Sequence, residues 1–491
     1  MNKKSTSIIE KKNTTNKYLS KLMRISIDSV NKGRKEKALS SLGAFCSIQY
    51  SINQVYTDKQ TEDLISEISK KLVTIPDEYN PDQKTVLFYD GFGLDLRGWA
   101  ASYIKALISA NYHVIYVAPI HRKELVPHIC DELNRGNGRA VWIDMKKSYV
   151  NWVIELKNIF LKFQPGTAFF YTIPYDVAGA VVFNSFAKKV NRILIDLTDH
   201  AFWIGKNAFD YIIECRMPGL SNLVHYRGVS ADKILYTDCC LYINRQIDPE
   251  PLPFDIEREQ YVFSGGALYK TLGDNNLYFY KIVDHILSKH SHIKFLYAGV
   301  GDDTQLKILI KKYPERVFHI NERSDFIRLF ENCIFFLNTF PMFGGLMMRY
   351  SALVNKIPLT LKHGSDHEGI LIDQDKRQIE FDTFEELIHE ADRLIEDNSY
   401  RESKEKLLDG SVLTEQEFED LMIKIIENKT TGKQIESIEK IDTTEFRAEY
   451  LERLDVDEML IRTIPTRINK SLIPYYPLLF LKKYISLGAK K

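Results

Sequence analysis

Twice along this chain an apolar run ends in glycine and leads into an amphipathic helix and a second apolar run. That grammar belongs to the βαβ unit, and it restricts the chain to parallel-sheet α/β architectures. The first instance opens with KTVLFYDGF (84–92), a buried strand with a glycine exit. The predicted helix carries Leu96, Trp99, Ala100, Tyr103, Ile104, Leu107 and Ile108 on one stripe. Asn111 ends it, and HVIYVAPI (113–120) is the next strand. Further strands are expected at 140–145, 166–173, 191–198 and 210–215, which makes a doubly wound domain over 82–245.

After Pro251 and Pro253 the grammar repeats. EQYVFSGG (259–266) is a strand with a glycine exit, 277–290 a helix, and IKFLYAGVG (293–301) a second strand with a glycine exit. Strands at 317–320, 333–340 and 357–363 follow, with helices at Asp325–Phe330 and Met348–Val354. This is a second parallel α/β domain over 255–400. Ahead of the first domain, 1–80 reads as a helical segment, closed by Pro76 and Pro81. Residues 401–491 read as a helical extension with a basic tail. Two such domains in tandem are expected to form a cleft at the C-terminal strand ends, where ligands of open parallel sheets settle.

A chain of 491 residues is too long for one core, and 44% hydrophobic with 27% charged residues is ordinary for globular proteins. No apolar run approaches the roughly 18–20 residues of a membrane span. The N-terminus lacks the apolar centre of a secretory signal. Six scattered cysteines without metal-ligand spacing read as thiols of a reducing compartment, so a cytoplasmic location without a metal is expected. The net charge of zero hides an asymmetry. Residues 1–37 carry eleven Lys/Arg against three acids, and 459–491 carry seven with no acid. Because the whole sums to zero, the middle carries a net charge of about −15. Basic ends on an acidic body suit an anionic lipid surface, or simply solvated termini. The tail LIPYYPLLFLKKYISLGAKK (472–491) fits either a bilayer interface or a segment packed back on the first domain.

Neither FYDGFGLDLRGW nor FSGGALYKTLGD supplies a dinucleotide fingerprint, and no Walker A motif is present. Three other stretches carry a pattern: RILIDLTDHAFWIGKNAFDYIIECR, FSGGALYKTLGDNNLYFYKIV and CIFFLNTFPMFGGLMMRYSALVNKIPLTL. In order and spacing they resemble the GT-B glycosyltransferases, and within them the family of O-GlcNAc transferase and the bacterial adhesin glucosyltransferases. The resemblance covers roughly 190–365 at motif level. It implies two Rossmann-like domains and transfer of a sugar from a nucleotide-sugar donor, UDP-linked in this family, without a metal.

The chemistry of the residues points the same way. A departing nucleotide diphosphate needs cationic or N–H stabilisation, and Lys270 follows a glycine strand exit within reach of a pyrophosphate. Gly344 and Gly345 open a helix whose free N–H groups suit a phosphate. Gly265 and Gly266 allow close backbone approach to the donor. His200 is the candidate general base, with Asp199 orienting it or serving as the base itself. Asp90 and Arg97 lie where GT-B enzymes face their acceptor. The resemblance also implies a ribose-gripping carboxylate seven residues before Pro358, but Ser351 stands there, and Glu368 is the substitute considered. No pair of acids eight residues apart flanks this loop, which leans the expected stereochemistry towards inversion. Three readings stay open: a transferase building a surface polysaccharide or glycolipid, a protein glycosyltransferase, and a non-catalytic partner subunit. None calls for nucleic acid.

Overall fold

The protein is described from a computed structural model, in which residues 8–95, 99–243, 247–363, 369–433, 435 and 437–488 are placed. The chain divides into two compact units. One comprises Met1–Glu214, Gly219–Thr237 and Glu419–Lys491; the other comprises Cys215–Pro218 and Asp238–Phe418.

The first unit is built on a parallel sheet of seven strands: β1 (Asp82–Asp90), β2 (His113–Pro119), β3 (Gly138–Ile143), β4 (Pro165–Tyr171), β5 (Asn191–Ile195), β6 (Tyr211–Glu214) and β7 (Ile234–Tyr236). Their order is β3-β2-β1-β4-β5-β6-β7. Val86 of β1 pairs with Val114 on one side and Thr167 on the other. The run Thr85–Asp90 is buried without alternation, as a strand covered on both faces requires. Polar caps start the covering helices: Asp58 accepts from the Thr61 N–H, Ser148 from Asn151 and Asp176 from Gly179. Asp176 also accepts from the Tyr89 hydroxyl at 2.7 Å, and Trp152 donates to that hydroxyl at 2.9 Å, so these three polar groups inside the core satisfy one another. The N-terminal helices Ile8–Asn31, Lys35–Ile52 and Lys59–Leu72 pack into the same core through Leu22, Leu39, Leu42 and Ile65.

The chain returns to this unit at its C-terminal end. Leu451, Met459, Leu460, Ile464, Leu472, Tyr476 and Leu479 join the first core. Tyr476 stacks on Tyr18 at 5.7 Å between ring centroids, and the Lys21 ammonium donates to the Tyr475 carbonyl at 2.9 Å.

The second unit carries six parallel strands: β8 (Tyr261–Gly265), β9 (Lys294–Ala298), β10 (Val317–Ile320), β11 (Phe336–Leu337), β12 (Pro358–Leu361) and β13 (Glu380–Phe381). Their order is β10-β9-β8-β11-β12-β13. The strand order reverses direction between β8 and β11, as it does between β1 and β4 in the first sheet. Such switch points open a crevice beyond the strand ends. None of the six cysteines forms a disulfide; five are buried and Cys130 is half-buried. Among the described residues no helix is long and apolar enough to cross a membrane.

Candidate functional site

The second unit gathers three strand exits at its switch point. β8 ends at Gly265, which is buried, and the chain leaves through Gly266 at a φ of 130°, a conformation open to glycine. A Cβ on Gly266 would meet nothing within 4 Å, so this backbone borders open space. Next door, a Cβ on Gly299 would come within 1.9 Å of the Gly266 carbonyl oxygen. The two glycine exits therefore lie against one another.

A short 3₁₀ turn, Leu268–Thr271, follows and carries Lys270. The Lys270 carbonyl accepts from the Met342 N–H at 3.2 Å, and its ammonium lies 3.4 Å from the Phe343 carbonyl oxygen. This brings Lys270 to the glycine loop after β11, 74 positions further along the chain. Asn338 shapes that loop: its side-chain oxygen accepts from the N–H groups of Thr339 (3.0 Å) and Gly344 (2.8 Å), while its amide donates to the Thr360 hydroxyl at 3.2 Å. Thr339 closes the turn by donating to the Met342 carbonyl at 2.7 Å.

Gly344 caps the helix Gly345–Leu353, whose first intrahelical bond runs from the Met348 N–H to the Gly344 carbonyl. Among the described residues the N–H groups of Gly345, Leu346 and Met347 have no acceptor. Three free donors at the positive end of a nine-residue helix suit an anion. Lys270 has no carboxylate partner among the described residues, and burial holds its ammonium below the ordinary lysine range. A cation desolvated and left with one carbonyl is prepared for an anionic ligand.

Ser351 does not join this surface. It is fully buried on the same helix, and its hydroxyl donates to the Lys356 carbonyl at 2.6 Å, which closes the helix end. Its oxygen is thus unavailable to a ribose. Arg97 and Glu368 lie outside the described residues.

In the first unit His200 and Asp199 sit together in the loop after β5. The Asp199 carboxylate is buried and lies 3.1 Å from His200 Nδ1, while the imidazole is 37% exposed. A carboxylate on Nδ1 fixes the tautomer that leaves Nε2 free to take a proton. The surrounding residues were not anticipated from the sequence. Asn53 clamps the loop at both ends, donating to the His200 carbonyl and accepting from the Phe202 N–H, each at 3.0 Å. Arg227 is fully buried and donates to the carbonyls of Asp199 and Ala201. Its guanidinium lies between the rings of Trp203 (4.6 Å) and Tyr56 (5.2 Å). Phe446, from the returning C-terminal segment, meets the imidazole edge to face at 6.3 Å.

Asp90 ends β1 as expected, but it reaches no solvent. One of its oxygens accepts from the N–H groups of Phe92 and Gly93, and the other from the Tyr116 hydroxyl at 2.7 Å. Burial pushes its carboxyl up to about 6. These partners assign it to holding the turn beyond β1, so it is left out of the proposed acceptor site. Among the described residues no three His, Cys, Asp or Glu side chains gather as metal ligands would.

Two parallel α/β units, each with its strand order reversing beside its first strand, make a GT-B-type fold. A solved structure of a UDP-N-acetylglucosamine 2-epimerase matches with a TM-score of 0.53 at 11% identity, over 73% of this chain and 100% of that one. An O-GlcNAc transferase mutant from Thermobaculum terrenum matches over 91% of this chain and 84% of its own at 14% identity and a TM-score of 0.45. A glycosyltransferase from Rickettsia africae matches over 70% and 98% at 12% identity and a TM-score of 0.49. No family model and no curated protein matches the chain.

Proposed function

We propose that this chain is a glycosyltransferase that takes a UDP-linked sugar in its second unit and passes it to a glycan or glycolipid acceptor. One observation carries the reading: among the described residues a desolvated Lys270 ammonium has no carboxylate partner and adjoins a glycine loop that leads into three helix N–H groups without an acceptor. That set neutralises a diphosphate both in the bound donor and as it departs, which is where charge grows in the transition state. Gly265 and Gly266 let the donor lie against backbone, and Gly344 and Gly345 present the N–H groups. The fold-mate named as a UDP-N-acetylglucosamine 2-epimerase supports a UDP-linked sugar as the ligand class. In this reading His200, oriented by Asp199, removes the proton from the acceptor hydroxyl, the reaction inverts the sugar carbon, and no metal takes part. The chain works in the cytoplasm at an anionic membrane face, in polysaccharide synthesis. The locked hydroxyl of Ser351 favours a second reading, a transferase-like subunit without catalysis of its own.

The test is a thermal-shift series with UDP, other nucleotides and UDP-sugars, followed by analysis of the sugar product. UDP at 100 times its Kd is expected to stabilise by about 2.7 kcal/mol. Lys270→Ala removes a charge-assisted contact of about 1.5–3 kcal/mol. It should therefore weaken UDP binding roughly ten- to a hundredfold and abolish transfer. No nucleotide response in the wild type sinks the reading. Epimerised donor would redirect it to the fold-mate's chemistry, and binding without turnover would favour the second reading.

A further inference from the structure

The last described helix, Pro477–Gly488, wears its apolar side outwards. Leu479 is buried in the first core, and Phe480 and Lys483 lean the same way, half-buried. The opposite face carries Leu478, Leu481 and Ile485, spaced to share one side of a helix. These are 72, 56 and 65% exposed, and Tyr484 beside them is 80% exposed. Ile473, in the turn just before, is exposed as well. Scattered exposed leucines need no explanation, but a helix that presents a contiguous apolar face does.

The exposed charge near that face is mostly positive; the acids of the same segments include Asp28 on the N-terminal helix and Asp457 and Glu458 on Val456–Thr463. The acids of the C-terminal segment stop at Glu458, while Arg462, Arg467, Lys470 and Lys482 are exposed. The N-terminal helix brings more. Lys21 sits 4.4 Å from the Tyr476 ring, Lys37 sits 4.9 Å from that of Tyr475, and Arg24 acts electrostatically on Tyr476. The two basic ends of the sequence thus meet at the root of the apolar helix. A shallow apolar ridge set among cations, with a tyrosine at its edge, is the chemistry of a helix lying in a bilayer interface.

We propose that the outward face of Pro477–Gly488 inserts into the headgroup region of an anionic lipid bilayer, with the surrounding Arg and Lys side chains on the lipid phosphates. This surface deepens the membrane part of the functional reading and rests on it only for its setting. Vesicle binding and nucleotide binding are separate measurements on residues of different units. The tail is at once packed and exposed: Leu472, Tyr476 and Leu479 anchor it, so the surface is tested by point substitutions and not by deletion.

The experiment is co-sedimentation of the full chain with phosphatidylglycerol vesicles and with phosphatidylcholine vesicles at low salt. The wild type is expected to bind the anionic vesicles at least tenfold more strongly, and to lose that preference as salt is raised. The pair Leu481→Asp with Ile485→Asp, and separately Lys482→Glu, should each weaken binding to the anionic vesicles, the pair by at least tenfold. Both residues of the pair are exposed, so the melting temperature and the UDP response should stay at the wild-type level. Absent vesicle binding, or binding that the pair leaves unchanged, overturns the proposal. So does a wild-type dimer that the pair converts to monomer, because the face would then be covered by a second copy.

Discussion

At the scale of single residues, the His200 loop shows how an imidazole on a loop is held still. Asp199 contributes its carboxylate to the imidazole, and its own carbonyl is held by the Asn222 amide and the Arg227 guanidinium at 3.1 Å each. Burial disfavours the Arg227 charge and holds its guanidinium below the ordinary arginine range, and the field of Asp196 and Asp199 offsets part of that cost. Under the functional reading, His200→Ala should lower kcat by about 10²–10⁴-fold and leave UDP binding unchanged, since a general base acts on the acceptor proton. Asp199→Asn should give a milder loss if the aspartate orients the ring. Steady-state kinetics beside a UDP titration separate the cases; full activity in both variants would make this loop structural. His200 and Asp199 were visible in the sequence as neighbours after a strand. Asn53, Arg227 and Phe446 were not, because their 147-, 27- and 246-residue separations from His200 carry no local signal and only the folded core brings them together.

At the scale of elements, the strands were legible because buried parallel strands leave unbroken apolar runs with glycine exits. Their predicted ends ran a few residues long. NRILIDLT was expected to pair through Thr198, yet β5 stops at Ile195: the Asp196 N–H still reaches the Ile213 carbonyl, but the Asp196 carboxylate takes the Thr198 N–H and the Trp203 indole and turns the chain out of the ladder. The two-residue β13 and three-residue β7 were too short to stand out from loops. The exit after β1 makes a measurable claim. Asp90 is pushed up to about 6 by burial, above the ordinary aspartate value, so the folded state holds that proton more tightly than the unfolded chain. Stability contributed by this group therefore falls as pH rises from about 4 towards 6, and the deficit is complete above that window. Asp90→Asn keeps an acceptor for Phe92 and Gly93 and removes the titration. Measured by urea unfolding, its stability relative to wild type should improve by about 2 kcal/mol between pH 4.5 and pH 7. A constant difference across that range would mean the carboxyl titrates normally. Asp176 and Asp196, also near 6, leave a residual slope in both proteins.

At the scale of the whole molecule, the path of the chain decides which parts stand or fall together. Residues 419–491 belong with the first unit, although the second intervenes in sequence. Amphipathic periodicity announces that such a segment has an apolar face, but not which core receives it. Here seven side chains beyond residue 437, from Leu451 to Leu479, are buried in the first core. Removing one large aliphatic side chain from a core costs about 2–5 kcal/mol, and a domain has only about 5–15 kcal/mol in hand. A chain ending at residue 437 is therefore expected to lose the cooperative melting of its first unit. The second core, from Val262 to Leu408, draws nothing from the deleted segment. The truncated chain should then keep a protease-resistant core spanning residues 238–418 that still shifts its melting with UDP, provided the nucleotide reading holds. Limited proteolysis with mass spectrometry, alongside melts with and without UDP, gives both readouts on one sample. If the truncated chain melts as one transition within a few degrees of the full chain, the C-terminal helices contribute little to the first core. If instead both units collapse, the second depends on the first for its folding, and the two cores are one cooperative system.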